Sequence, residues 1–351
     1  MAKRSLLVYG AYGFTGRIVL EHLQRRGLDF IVAGRDEARA RATAATFGVA
    51  HRAFALDDAR GLDRALTGVR VLLNAAGPFS STAAPLLDAC LRKRVHYLDV
   101  CGELAPLEHA ASLDGAAKKR GVMLLPAVGF DVVPSDCLAV HLARRLPGAT
   151  ALTLSIAGMN LVSRGSAATF AEHSGTPVYV RKAGRLEPIL FRTQMRWVDF
   201  GAGARPVVAV TWGDLATAFR STGIPNLEVY FESTLPRLLG VATNQLYGFM
   251  LRSEVAKSWL RRAAATLAEG PSAERRAAER VTLVGEATKN GQTVRSRLVT
   301  PEAYTFTGMT AAAVVERVLE GAVEPGFRTA GQLFGPDFVL SLDGVEREDL
   351  P

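Results

Sequence analysis

The sequence has few cysteines and no long apolar run. Of its 351 residues only Cys90, Cys101 and Cys137 are cysteine. An odd number without C-x-x-C spacing excludes a disulfide framework and gives no zinc signature. No His/Asp/Glu group has metal-ligand spacing either, so no bound metal is expected. The apolar stretches fall well short of the roughly 18–20 residues a bilayer span requires. Val122–Val128 has the length of a buried strand and is interrupted by Pro126. The chain passes from Met1-Ala2-Lys3-Arg4 straight into an apolar strand, leaving no room for a signal peptide. The expectation is therefore a cytoplasmic protein in a reducing compartment. The net charge is +8, from 42 Lys and Arg against 34 Asp and Glu. Yet the basic residues are scattered arginines, as in Arg35–Arg41, with neither a dense basic tract nor interleaved aromatics. That pattern reads as a solvated surface able to attract an anionic ligand, and no nucleic-acid partner is expected.

What remains is an ordinary globular composition, 48% apolar and 22% charged, with enough length for two cores. The first 135 residues alternate apolar strands (near 5–10, 30–34, 51–56, 69–75, 95–99 and 122–127) with helices. The helices are expected near 14–26, 36–47, 59–66, 82–93, 105–120 and 135–146. Strict β/α alternation predicts a Rossmann-type, doubly wound parallel sheet covered on both faces. After about Pro147 the pattern changes. "ATALTLSIAG", Tyr179–Arg181, Glu187–Arg192, Val207–Thr211, Leu227–Glu232 and Arg280–Glu286 read as strands with few helices between them. These predict a second α/β domain with a mainly antiparallel sheet, and Asn290-Gly291 marks a tight hairpin. Tracts near 235–267 and 310–321 are expected to be helices covering that sheet. The domains are placed at 1–135 and 136–325.

The first strand runs into "GAYGFTG". A dinucleotide loop needs a sharp turn, a backbone that lies close to the pyrophosphate, and a helix packed tightly enough to point its N-terminus at negative charge. Gly10 suits the turn, Gly13 the close approach and Gly16 the packing. Tyr12 and Phe14 lie between them in the same loop, and Thr15 offers a hydroxyl to a phosphate oxygen or to the helix start. The position of the loop inside a βαβ unit supports nucleotide binding. An NAD site places an acid at the end of the second strand. Here the apolar run ends in Gly34-Arg35-Asp36. Asp36 could be that acid. The preferred reading gives its place to Gly34, has Arg35 receive a 2′-phosphate and leaves Asp36 to cap the next helix, which points to NADP(H). Asp57, at the end of the third strand, can reach the adenine or serve a turn. "NAAGPF" ends the fourth strand. There Asn74, Ala75, Gly77, Pro78 and Phe79 let the backbone lie beside the ribose and nicotinamide.

Taken together and in order, "GAYGFTG", "AGR", "NAAGPF", "HYLDVCGE", "GFDVVPSDCLA", "STGIPNLEVY" and "GFRTAGQLFG" resemble the saccharopine dehydrogenase-like oxidoreductases, including short bacterial members assigned as enoyl reductases. The resemblance implies hydride transfer with a pyridine nucleotide and a second domain that closes over the nicotinamide. It also implies a C-terminal segment, about 325–351, able to pack back on the first domain. It does not supply a substrate. A C=C or C=N bond of a small or lipid-like molecule is the reading taken. A saccharopine-type amino-acid dehydrogenase and a non-catalytic NADP(H)-binding sensor or scaffold stand as alternatives.

Hydride transfer also needs an acid to protonate the developing anion. Tyr97, Asp99 and Glu103 surround the end of the fifth strand, and Asp131 and Asp136 lie in the following loop. Ser135 or Asp136 suits a helix cap, and Cys101 suits buried packing. Asp131, Tyr97 and, in the second domain, His173 are the candidate catalytic groups. The helical tract 238–267 reads most simply as a core or homodimer-interface helix. A membrane-surface or lipid-channel helix is the alternative, less favoured.

Overall fold

A computed structural model describes residues 5–161, 163–165, 167, 177–189, 195–233, 258, 266 and 269–351. The chain divides into two compact units, Met1–Cys137 with Ala303–Leu342, and Leu138–Glu302 with Asp343–Pro351.

In the first unit the elements follow one another as β1 (Ser5–Tyr9), α1 (Phe14–Arg25), β2 (Phe30–Gly34), α2 (Glu37–Phe47), β3 (His51–Ala53), α3 (Ala59–Ala65), β4 (Val69–Asn74), α4 (Phe79–Lys93), β5 (His96–Asp99), α5 (Leu104–Ser112), α6 (Asp114–Arg120) and β6 (Met123–Leu125). The sheet order β6-β5-β4-β1-β2-β3 is parallel throughout and places the reversal of winding between β1 and β4. In such sheets ligands gather outside the carboxyl ends of the strands at that reversal. The strands other than the edge strand β3 are buried on both faces, so they read as continuous apolar runs, as in "LLVY" and "VLL". α7 (Val133–Arg145) leads out of this alternation.

Two expectations for this part of the chain are corrected. The single helix at 105–120 is two, α5 and α6, because Asp114 starts a new helix. Its carboxylate accepts from Phe327 N at 2.9 Å and pairs with Lys118. The helix at 310–321 does not cover the second sheet. It is α10 (Ala303–Glu320; α8 and α9 are described below) and it packs in the first unit against α1. Gly308 permits the crossing, since a Cβ there would fall 2.5 Å from His22 and 2.8 Å from Ile18. Phe14 meets Tyr304 edge-on at 5.2 Å. The chain therefore returns at Ala303 rather than near 325. β15 (Gly326–Phe327) adds a seventh parallel strand beside β6, and the short α11 (Ala330–Phe334) follows.

The second unit is built on β7 (Ala151–Ala157), β8 (Val178–Lys182), β9 (Arg185–Ile189), β10 (Met195–Asp199), β11 (Ala204–Val210), α8 (Asp214–Thr222), β12 (Asn226–Glu232), α9 (Ala273–Ala278), β13 (Arg280–Lys289), β14 (Gln292–Pro301) and β16 (Glu346–Leu350). The order is β10-β11-β12-β7-β13-β14-β16, with β8 and β9 paired beside β12. All pairings are antiparallel except β7 with β12. Asn290 and Gly291, at φ +49° and +82°, make the hairpin between β13 and β14. Gly285 lets α7 lie close, because a Cβ there would come 2.5 Å from Leu142 Cδ1. The last residues, expected with the first domain, instead pair β16 with β14. Asp349 secures that strand, 2.8 Å from both His141 Nε2 and Ser296 Oγ. No helix among the described residues is long and apolar enough to cross a membrane.

Candidate dinucleotide site

β1 ends at Tyr9, and Gly10 turns the chain at φ +79°, its amide donating to Ala33 O at 2.9 Å. No side chain fits at Gly10, where a Cβ would lie 2.6 Å from Ala76 N. Gly16 is equally constrained, since a Cβ would stand 2.3 Å from Gly10 O. α1 is thereby pressed onto the loop. Its N-cap, Gly13, brings no side-chain cap, and the first turn, which includes Thr15, holds no acid. The loop thus offers a helix N-terminus with no protein carboxylate of its own on it, the arrangement that receives a pyrophosphate.

At the end of β2 the acids are accounted for. Asp36 is the N-cap of α2, its carboxylate accepting from Arg39 N at 3.0 Å. Gly34 carries no acid and has no room for one, because the Tyr12 ring lies over it. Arg35 is exposed and forms no ion pair among the described residues. Its charge reaches the buried Tyr9, opposing the burial and the neighbouring Tyr12 that together push the Tyr9 hydroxyl up to about 12. Asp58 caps α3 through Gly61 N at 2.9 Å, while Asp57 beside it is exposed.

The turn after β4 is locked from beneath. Asn74, fully buried, donates from Nδ2 to Thr82 Oγ1 at 3.0 Å and accepts from Ala76 N at 3.0 Å. Thr82 Oγ1 in turn donates to Ala76 O at 2.7 Å. Ala75 N donates to Tyr9 O at 2.8 Å, fastening this turn to the glycine loop. The Gly77–Pro78 peptide is cis, and Pro78 is the N-cap of α4. Proline supplies no side-chain acceptor there, so Glu103 does. Its two oxygens accept from Phe79 N at 2.8 Å and Ser80 N at 2.9 Å. Glu103 was visible in the sequence only as an acid near a strand end; its capping role emerges when α4 and β5 are brought together.

Asp99, at the end of β5, is the hub of this edge. It accepts from Tyr97 Oη at 2.8 Å, Cys101 N at 3.0 Å and Ala127 N at 2.7 Å. Burial raises its carboxyl to about 6, and those three donors restrain the rise. Ala127 is held in the left-handed region at φ +59°. Tyr97 has no solvent-exposed surface, and its hydroxyl is committed to Asp99. That placement suits holding the turn more than delivering a proton. Cys101 is buried, with its Sγ accepting from Glu103 N at 3.2 Å. Asp131 lies against Gly102. Burial, and after it the charge of Glu103, raises the Asp131 carboxyl to about 7. Asp136 instead holds α11, accepting from Gly331 N at 2.7 Å. His173 lies outside the described residues, as does the 238–267 tract apart from Ser258 and Thr266. Among the described residues no group of three His, Cys, Asp or Glu could hold a metal.

The structure thus brings the residues of the glycine loop, Gly34–Arg35, the Asn74–Phe79 turn and Asp131 to the carboxyl ends of one parallel sheet. These elements define a Rossmann-type protein built to hold a nicotinamide dinucleotide. Residues 6–125 match the saccharopine dehydrogenase NADP binding domain. Two curated relatives are trans-acting enoyl reductases. That of Mycobacterium ulcerans (strain Agy99) is 32% identical over 198 residues, 52% of this chain and 47% of the relative. That of Mycobacterium leprae (strain TN) is 29% identical over 279 residues, 72% of this chain and 66% of the relative. The chain spans about half the length of the first relative. In fold it resembles apo saccharopine dehydrogenase (L-Glu forming) from Saccharomyces cerevisiae, with a TM-score of 0.65 at 13% identity, covering 99% of this chain and 100% of the other. Residues 6–125 thus carry a saccharopine dehydrogenase-type NADP binding domain, and the chain as a whole has a fold similar to that of saccharopine dehydrogenase.

Proposed function

We propose that the protein is an NADP(H)-dependent reductase that acts on a polarised C=C bond of a lipid-like substrate. The observation that carries the cofactor assignment is the state of the residues after β2. Asp36 is committed to its helix cap, Gly34 has no side chain, and Arg35 stands exposed. A ribose 2′-hydroxyl finds no acid there, whereas a 2′-phosphate finds a guanidinium fork. The assignment to a C=C bond is supported by the enoyl reductases among the relatives.

Bound reduced dinucleotide would supply the hydride. The chain's own residues do the rest. Gly10, Gly13 and Gly16 let the backbone approach the pyrophosphate, and the Asn74–Phe79 turn positions the nicotinamide half. Asp131 carries a proton into the neutral range and can deliver it to the carbon left anionic.

The test is a titration of the cofactor-stripped protein with NADPH and NADH, followed by NADPH oxidation with a trans-2-enoyl thioester and with an amine plus a keto acid. Preference for NADPH that is lost in Arg35→Ala, with turnover of the thioester, is the expected result. Preference for NADH overturns the cofactor assignment. Turnover only of the amine and keto acid replaces the reaction with that of an amino-acid dehydrogenase. Tight NADPH binding without turnover of either leaves a sensor or scaffold.

A further inference from the structure

Tyr12 sits in the glycine loop, yet its side chain belongs to the end of β2. A Cβ built on Gly34 would fall 2.2 Å from Tyr12 Cε1 and 2.9 Å from its hydroxyl oxygen. The hydroxyl accepts from Asp36 N at 3.2 Å, which fixes the ring in that position. On the ring's face lies Arg39, its guanidinium carbon 4.6 Å from the centroid, and Arg39 Nη2 also donates to Tyr12 O at 3.5 Å. Arg17 reaches the same carbonyl from α1 at 3.3 Å. The acids nearby are engaged elsewhere. Asp36 accepts from the Arg39 amide, and Glu37 pairs with Arg41 at 3.1 Å. Arg39 is exposed and forms no ion pair among the described residues. A guanidinium held by an aromatic face rather than by a carboxylate keeps its donors for a further anion.

We infer that Tyr12 sets the choice between the two dinucleotides: it fills the space an acid at position 34 would need, and it holds Arg39 beside Arg35 as a second cation for the adenosine 2′-phosphate. The inference rests on the NADP(H) reading and locates selectivity in the glycine loop as well as after β2. An aspartate at position 34 can enter only if the Tyr12 ring leaves, and that breaks the bond to Asp36 N and frees Arg39. The residue that recognises NAD in related folds is therefore excluded by a side chain 22 positions earlier in the sequence.

The experiment titrates the full chain calorimetrically with adenosine 2′,5′-bisphosphate and with 5′-AMP, and by fluorescence with NADPH and NADH. Far-ultraviolet circular dichroism checks that each variant is folded. Arg39→Ala should weaken the bisphosphate about tenfold or more, the scale of losing one charge-assisted contact, and leave 5′-AMP nearly unchanged. Arg41→Ala, on the same helix, controls for a general loss of charge and should change neither. Gly34→Asp alone should lose NADPH without gaining NADH, whereas Tyr12→Ala combined with Gly34→Asp should prefer NADH. The inference is overturned if Arg39→Ala behaves like Arg41→Ala, or if Gly34→Asp alone binds NADH as tightly as the double variant. If the unmodified protein binds the bisphosphate no better than 5′-AMP, the NADP(H) reading itself falls. That outcome is visible before any variant is made.

Discussion

Asp131 packs against the α-carbon of Gly102. A Cβ on Gly102 would stand 2.5 Å from Asp131 Oδ2 and 2.9 Å from both Asp131 Cβ and Cγ. The contact extends along the whole acid side chain, so rotating the carboxylate alone does not make room. Gly102→Ala should displace Asp131 together with its loop. Dinucleotide affinity should stay within a few-fold, since β4 stands between β5, which leads to Gly102, and β1, which leads to the glycine loop. The rate of the reductive step should fall at least about tenfold, in the range attributed to general acids. Titration of NADPH beside single-turnover kinetics separates the two effects. An equal loss in both would remove Asp131 from the chemistry.

The raised carboxyl of Asp131 has a definite sign in pH dependence. A carboxyl raised from 3.8 to about 7 binds more protons in the folded chain than in the unfolded one between those values. Its contribution therefore does not oppose folding below about pH 4, grows less favourable as pH rises, and is fully unfavourable above about pH 7. Asp131→Asn should raise the Tm at pH 8 relative to the parent and should lose that advantage at pH 4. The reductive rate of the parent should decline as pH passes through about 7, and the variant should lack that limb. Thermal melts and a pH–rate profile check both signs.

Asp99 holds three donors at once, so it offers a test of the edge that supports Asp131. In Asp99→Asn one oxygen becomes an amide that donates, leaving a buried hydroxyl or backbone N–H facing another donor. One unsatisfied buried group costs about 1–3 kcal/mol. The Tm should fall accordingly. Because Ala127 keeps its left-handed conformation beside Asp99, hydrogen exchange should accelerate at Ala127 and Val128. A change spread evenly over the first unit would point instead to a general loss of packing.

How far the sequence discloses this site follows from which contacts are local. The glycine spacing, the Asp36 cap and the Asn290-Gly291 hairpin involve neighbours within a few residues, and each reads directly from the chain. Gly34 is legible as the absence of an acid, but its cause, the Tyr12 ring, depends on β1 and β2 lying side by side. Tyr97 invites a catalytic reading as a lone phenol near a strand end. In a parallel sheet covered on both faces, such a position is buried whichever way it points. β16 escapes notice because "EREDL" is a charged edge strand with no apolar alternation. α10 reads correctly as a helix, whereas its partner, α1, lies almost 300 residues earlier and leaves only Gly308 as a trace.

Gly16 tests the foundation on which the other expectations stand. A methyl group there would meet Gly10 O at 2.3 Å and Ala11 Cα at 2.9 Å, both of them backbone, so no side-chain movement relieves the clash. α1 must move away from the loop, carrying its N-terminal amides out of reach of a pyrophosphate. Gly16→Ala should therefore lose binding of NADPH, NADH and adenosine 2′,5′-bisphosphate alike, while Arg39→Ala weakens only ligands bearing the 2′-phosphate. The first unit has a large buried core beyond the loop, including Leu6, Leu20, Leu72 and Leu124. The variant should accordingly stay folded, with a Tm lowered by several degrees, the scale of an overpacking cost of about 1–3 kcal/mol. Binding titrations and circular dichroism on one preparation decide the matter. Retained affinity would mean that the three glycines serve the packing of α1 alone and that the dinucleotide is held elsewhere.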